Sequence, residues 1–122
     1  MAKVAAAEFS KAVVGVCSES KAVRIWDVKI FEDSVARIRI FLVDSSFIDV
    51  YYNAETKKIS FAWIINNKRA YGADNLGNWH IHPFGRPNDH RASAEVDFRE
   101  FLKNIEQKIN VARSDENKNS SG

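Results

Sequence analysis

The sequence is poor in the residues that build special structures. Its 122 residues include one cysteine, two prolines and five glycines. The single cysteine, Cys17, excludes an internal disulfide and is typical of a reducing compartment, so a cytoplasmic protein is expected. No apolar run reaches the roughly 18 residues of a membrane-spanning helix, so no membrane association is expected. The net charge of +2 neither requires nor excludes a nucleic-acid partner.

What is present is the composition of an ordinary globular domain. Hydrophobic residues make up 45% of the chain and charged residues 28%. We predict a single α+β domain over residues 1–113. Residues 114–122 contain no apolar side chain, and we expect them to form a disordered tail.

Hydrophobic periodicity predicts one antiparallel sheet and two helices. Ala36, Ile38, Ile40 and Leu42 alternate with arginines, which is the pattern of a half-buried strand. The predicted elements are a helix over Ala5–Val16, strands over Val23–Phe31, Val35–Val43, Phe47–Tyr52, Ile59–Ile65 and Arg69–Asp74, and a C-terminal helix capped by Ser93. The fold class is therefore α+β: an antiparallel meander of four to five strands, with both helices packed on one face.

The same pattern predicts which side chains form the core and where copies associate. The expected core comprises Ile38, Ile40, Leu42, Phe61, Trp63, Phe98, Phe101, Leu102 and Ile105. Neither Val23–Phe31 nor Phe47–Tyr52 carries a proline or a dense cluster of charges that would protect a sheet edge. We therefore expect a homodimer or a complex with a protein partner.

All three histidines of the chain lie within eleven residues, at positions 80, 82 and 90. If residues 79–82 are extended, His80 and His82 point to the same face and stand roughly 7 Å apart at the backbone. We expect both to lie near Asp74 and to be partly exposed. Two such imidazoles can flank one phosphate or converge on one metal ion.

Three interpretations of this cluster compete. In the first, His80 and His82 act as general base and general acid, oriented by Asp74, in a metal-independent ribonuclease in which Arg86 or Arg91 stabilises the phosphate. In the second, His80, His82 and His90 bind a divalent transition metal. In the third, the histidines are ordinary polar residues of a protein-binding module that is not an enzyme.

A second candidate surface lies on the predicted sheet itself. Arg37 and Arg39 share one strand face, on which they can follow the phosphate backbone of RNA, with Tyr51 or Trp63 as a stacking platform. The alternative is that both arginines are simply solvated strand residues.

The stretch Asp74-Asn75, followed by Trp79-His80-Ile81-His82-Pro83, a late histidine and a C-terminal helix, resembles the TumE-type family. This resemblance covers roughly residues 20 to 110. It implies the toxin of a prokaryotic type II toxin–antitoxin pair, neutralised by a small antitoxin protein. It also implies functional roles for Asp74, Asn75, His80 and His82. The family pattern has arginine and tyrosine before the aspartate, where this chain has Gly72 and Ala73.

Overall fold

The structure, a computed structural model, describes residues 4–86 and 88–120, with side chains up to residue 109. The elements are α1 (Ala6–Ser18), β1 (Val23–Phe31), β2 (Val35–Leu42), β3 (Phe47–Asn53), β4 (Lys58–Ile65), β5 (Lys68–Asp74), β6 (His80–His82), β7 (Arg91–Ala92) and α2 (Phe98–Ser120). Within the described residues, all seven strands form one antiparallel sheet in chain order. The α+β class is confirmed, but the prediction of four to five strands is wrong. The additional strands β6 and β7 have three and two residues, too few to show an alternating pattern.

The core lies between the sheet and the two helices. Helix α1 packs on β1, β2 and β3, and helix α2 packs on β4 and α1. All nine residues predicted for the core are buried. Tyr71 is stacked between Phe84 and Phe101, with ring centroids 4.0 and 4.9 Å away, so the loop after β6 is anchored to the same core.

Strand alternation gives the sheet two different surfaces, which we call the helix face and the open face. The helix face carries the buried residues of β2, β3, β4 and β5, such as Ile38, Val50, Phe61 and Ala73. The open face carries the residues between them. It therefore presents polar and charged side chains, including Arg37 and Arg39, to the surroundings.

The turn chemistry is largely as predicted, with one correction. Asn66 and Asn67 both have positive φ, at 51° and 63°, as expected for a two-residue hairpin turn. Helix α2, however, begins at Phe98, and the carboxylate of Asp97 accepts a hydrogen bond of 2.8 Å from the backbone N–H of Glu100. The predicted cap at Ser93 is therefore wrong, because the turn of helix predicted at Ala94–Asp97 is not formed.

The C-terminal part is described only in outline. Helix α2 continues to Ser120, while the side chains beyond residue 109 and the last two residues lie outside the description. The disordered tail over residues 114–122 stays a prediction. Among the described residues, neither helix has the length and apolar composition needed to cross a membrane.

Candidate active site

The three histidines meet on the open face, and the last two strands bring them there. In the β5–β6 register, His80 pairs with Asp74 and His82 with Gly72. In the β6–β7 register, Ala92 pairs with His80 and Arg91 pairs with Ile81. His90, which directly precedes Arg91, therefore lies beside His82. The ring centroids of the three imidazoles are 4.5 to 5.1 Å apart. The expectation that His80 and His82 share one face is confirmed.

The carboxylate of Asp74 joins two of the histidines. Its Oδ2 accepts a hydrogen bond from Nε2 of His82 at 2.9 Å, and its Oδ1 lies 3.0 Å from Nε2 of His80. The backbone N–H of Leu76 donates to Oδ1 at 3.1 Å. Asp74 is itself buried, at 7% exposure. One buried carboxylate therefore fixes the orientation of both rings.

His82 is the buried member of the cluster and has one nitrogen without a partner. Its exposure is 3%, so the expectation that it is partly exposed is wrong. A carboxylate only accepts hydrogen bonds, so Nε2, which faces Asp74, carries the hydrogen of the ring. Among the described residues, Nδ1 of His82 is the buried side-chain nitrogen or oxygen that has no hydrogen-bond partner. In the neutral form of the ring, Nδ1 therefore presents a bare lone pair, the feature required of a general base or a metal ligand.

His80 and His90 differ from His82. Both ring nitrogens of His80 face oxygen atoms, because Nδ1 lies 3.0 Å from the carbonyl oxygen of Asn78 and Nε2 lies 3.0 Å from Asp74. His90 is exposed and packs its ring against His82 at 4.5 Å between centroids. It is the histidine that a substrate in solution meets first.

A bulge in β5 places an arginine beside this cluster. Tyr71 pairs with Trp63, but Arg69 pairs with Ile64, so Ala70 is an extra residue in β5. Without the bulge, Arg69 would share the helix face with Tyr71. The bulge transfers it to the open face, together with Asp74. Arg69 is the functional candidate that sequence reasoning missed, because nothing in the local sequence signals the bulge.

Gly72 provides the space in which this arginine and His82 approach each other. A Cβ atom at Gly72 would lie 3.3 Å from Cδ of Arg69 and 3.4 Å from Cδ2 of His82. It would also lie 3.1 Å from the backbone oxygen of Phe61, which cannot move freely. The absence of a side chain at this position is therefore part of the site.

The other candidates of the loop are placed differently. Arg86 is exposed and faces Asp89 at 3.9 Å. Arg91 pairs with Ile81 in the register, which puts it on the side of the sheet opposite to the histidines. The side chain of Asn75 clamps the β3–β4 hairpin, because its amide donates to the carbonyl of Lys57 at 2.7 Å and its oxygen accepts from the N–H of Ile59 at 2.8 Å.

Arg37 and Arg39 lie on the same face as the histidines but at a distance. They line a depression of about 400 Å³, together with Asp27, Lys29, Asp49 and Tyr51. Four strand spacings separate β2 from β6, or roughly 19 Å. Arg39 makes two hydrogen bonds to Asp49, at 2.8 and 3.0 Å, and hydrogen bonding to this carboxylate raises the pKa of the guanidinium. The structure therefore does not bring these arginines to the histidine cluster.

The cluster also has the dimensions of a candidate metal site. One ring nitrogen from each of His80, His82 and His90 can be chosen so that all three lie within 4.8 Å of one another. Histidines that bind a metal with one ring nitrogen are commonly held by a carboxylate at the other, as Asp74 holds His82 here. Of the two histidines that contact Asp74, His82 has an unpartnered ring nitrogen, Nδ1, whereas His80 would have to release one of its two contacts.

Three clustered histidines on an antiparallel sheet, two of them in contact with one buried carboxylate, define a class of site suited to acid–base or metal chemistry. The chain belongs to the family described as Toxin TumE, whose family model matches residues 12–109, most of the chain. The resemblance seen in the segment from Asp74 to His90 is thereby confirmed. No curated protein and no solved structure gives a match to the chain.

Proposed function

We propose that this protein is the toxin of a toxin–antitoxin pair and that it acts as a metal-independent ribonuclease. The observation that carries the proposal is the unpaired, buried Nδ1 of His82, whose other nitrogen is held by Asp74. Such a ring is oriented and is ready to accept a proton. The membership of the chain in a toxin family supports the biological role.

In the proposed reaction, Nδ1 of His82 takes the proton from a ribose 2′-hydroxyl. The 2′-oxygen attacks the adjacent phosphorus, the bond from phosphorus to the 5′-oxygen breaks, and the products are a 2′,3′-cyclic phosphate and a 5′-hydroxyl. His90, exposed beside His82, donates the proton that the 5′-oxygen requires. Because Nδ1 of His82 is buried, His90 must move aside as the RNA enters.

The remaining residues of the cluster stabilise charge and geometry. His80 contacts the other oxygen of Asp74 and the carbonyl oxygen of Asn78, and so helps to keep the carboxylate in place for His82. Arg69 is the arginine best placed to meet the phosphate as negative charge develops on it. Arg37, Arg39 and Arg86 lie further out and serve as contacts for flanking nucleotides.

The proposed role also defines partners and location. A toxin that degrades RNA acts in the cytoplasm and must be held inactive by a cognate antitoxin protein. Covering the exposed His90 or filling the open face beside it would suffice, because either would prevent RNA from reaching His82.

The test measures RNA cleavage by the purified protein and by variants. The parent should release fragments ending in a cyclic phosphate, with a bell-shaped dependence on pH around neutrality and no loss of activity in chelator. His82→Asn and His90→Asn should each lower the cleavage rate about 10²–10⁴-fold. Lys68→Ala is the control, because Lys68 is exposed on β5 at the end remote from Asp74.

The growth of cells that express the toxin without its antitoxin gives an independent measure of function. His82→Asn should abolish growth arrest at equal protein levels. If the doubly substituted His80→Ala, His82→Ala protein folds and still arrests growth, the chemical proposal fails. A protein-binding mode of toxicity then becomes the better account.

A metal-dependent activity is the second candidate, favoured by the 4.8 Å convergence of the three histidines. In that case, activity should disappear in chelator and return with a divalent transition metal. Zinc titration by calorimetry distinguishes the two candidates without an activity assay. One equivalent bound by the parent, and none by His90→Ala, would favour the metal.

A further inference from the structure

The sheet has one long open edge, formed by β1. This strand has nine residues and pairs with β2 on one side. At the other end of the sheet, the described edge strand β7 has only two residues. Along the outer side of β1, every second residue directs its backbone N–H and C=O away from the sheet. Such an edge is a template for another strand. Phe47–Tyr52, the other edge expected from the sequence, lies in β3 inside the sheet, so that expectation is wrong.

Apolar side chains are concentrated along this edge. Of the six large hydrophobic residues that are exposed in the described part of the chain, three belong to β1: Ile25 at 61%, Ile30 at 42% and Phe31 at 49%. A fourth, Phe41, lies on β2 directly opposite Ile25. No proline interrupts the strand. An edge of this length with this composition is unfavourable in water unless something covers it.

The sequence of β1 is complementary to itself in one antiparallel register. With Val28 on a two-fold axis, Asp27 faces Lys29 of the second copy, and Lys29 faces Asp27 of the second copy. In the same register, Ile25 meets Phe31 and Trp26 meets Ile30. A slip of the axis by one residue in either direction sets Asp27 opposite Asp27, or Lys29 opposite Lys29. Only the axis at Val28 therefore pairs opposite charges.

The contacts within one copy favour the same arrangement. Lys29 lies directly opposite Arg37 on β2, a pair of like charges that is unfavourable on adjacent strands. The carboxylate of Asp27 from a second copy would reach the free side of Lys29 and offset this repulsion. A partner of unrelated sequence would need to supply this carboxylate at the same place, whereas a second copy supplies it by symmetry.

We propose that β1 pairs antiparallel with β1 of a second copy of this chain, about a two-fold axis at Val28. The two sheets then form one continuous sheet, with seven strands from each copy. Asp27 and Lys29 also line the depression that holds Arg37 and Arg39. Pairing therefore brings the two depressions next to each other across the axis, on one continuous open face.

The test is a set of charge reversals whose effects depend on the register. Lys29→Asp and Asp27→Lys each turn two attractive contacts into repulsive ones and should raise the dimer dissociation constant about tenfold or more. The double variant Asp27→Lys, Lys29→Asp should return to the affinity of the parent. Lys68→Asp, which makes the same change of charge as Lys29→Asp on exposed β5, should leave dimerisation unchanged.

Mixing the two single variants gives a second measurement that does not depend on the double variant. One chain then has aspartate at both positions and the other has lysine at both, so only the mixed pair is complementary. Sedimentation velocity should show monomers for each variant alone and a heterodimer for the mixture, while thermal melting verifies that each is folded. A parent that is monomeric at 100 µM would overturn the proposal. So would a dimer insensitive to Lys29→Asp, or an edge that binds only the antitoxin.

Discussion

Replacing Asp74 by asparagine tests how the site is organised without changing its shape. The carboxylate accepts a hydrogen bond from Nε2 of His82 and lies 3.0 Å from Nε2 of His80. An amide keeps one accepting oxygen and turns the other position into an N–H donor. A ring that faces this donor must move its hydrogen from Nε2 to Nδ1. For His82, that change removes the lone pair proposed to act as base.

The expected effect of Asp74→Asn on catalysis is large, and its effect on folding is moderate. A wrong tautomer of a catalytic histidine costs about 10⁴-fold in kcat in a serine protease, and acid–base contributions lie at about 10²–10⁴-fold. We expect a loss of RNA cleavage within this range. One buried hydrogen bond to a charged group contributes about 1.5–3 kcal/mol, so the midpoint of thermal unfolding should fall by roughly 6–15 °C.

Activity, melting and the ring tautomer can be measured on one preparation. Nitrogen-15 spectra of the histidine side chains report whether Nδ1 of His82 is bare in the parent and carries hydrogen in Asp74→Asn. Asp33→Asn is the matched control, because Asp33 is exposed in a turn with φ of 57°, which asparagine readily adopts. If Asp74→Asn folds, shifts the tautomer of His82 and still cleaves RNA at the rate of the parent, His82 is not the base.

Three further predictions concern the surroundings of the site and the core. Gly72→Ala should displace the ring of His82, lowering both activity and the free energy of unfolding, the latter by about 1–3 kcal/mol, as measured by cleavage assay and denaturant titration. Burial raises the pKa of the Cys17 thiol to about 12. A thiol reagent at pH 8 should therefore modify the protein only after denaturant is added, and rapid labelling of the folded protein would contradict this. The same shift implies that stability contributed by the neutral thiol is complete below pH 9 and is lost as the pH rises towards 12. Trp63→Phe removes the buried hydrogen bond of 2.8 Å that Nε1 donates to Oγ of Ser46. It should lower the free energy of unfolding, measured by denaturant titration, by about 1–2 kcal/mol. An unchanged midpoint would show that the bond contributes nothing.

The long elements were predictable because their side chains repeat over many residues. Strand β2 alternates over eight residues, and the four apolar side chains of one face, Ala36, Ile38, Ile40 and Leu42, are all buried. The stripe of Phe98, Phe101, Leu102 and Ile105 likewise identified the buried face of α2. In both cases one face of the element is buried, and the spacing of the apolar residues in the sequence shows which face that is.

The site itself was only partly predictable, because two of its features depend on pairing rather than pattern. The approach of His80 and His82 to Asp74 follows from alternation and was expected. The convergence of His90 requires β7, whose two residues are recognisable only from their partners in β6. The position of Arg69 requires a bulge at Ala70, which alanine neither favours nor prevents. Short strands and bulges are set by the neighbouring strand, so one sequence read alone does not reveal them.

The site lies at the end of the sheet where the long strands are followed by the short strands β6 and β7, and this position suits the proposed chemistry. His82 is positioned by a strand, by a buried carboxylate and by the close approach that Gly72 allows, so the proposed base is held in place. His90 stands at the end of the loop that leads into β7 and is exposed, so it can move when RNA enters. A base held in place and an acid that can yield are what the cleavage of a flexible polymer requires. The same arrangement explains why a protein with one small core can carry a buried, unpaired nitrogen: β6 and β7 are an addition to a sheet whose first five strands and two helices already form the core.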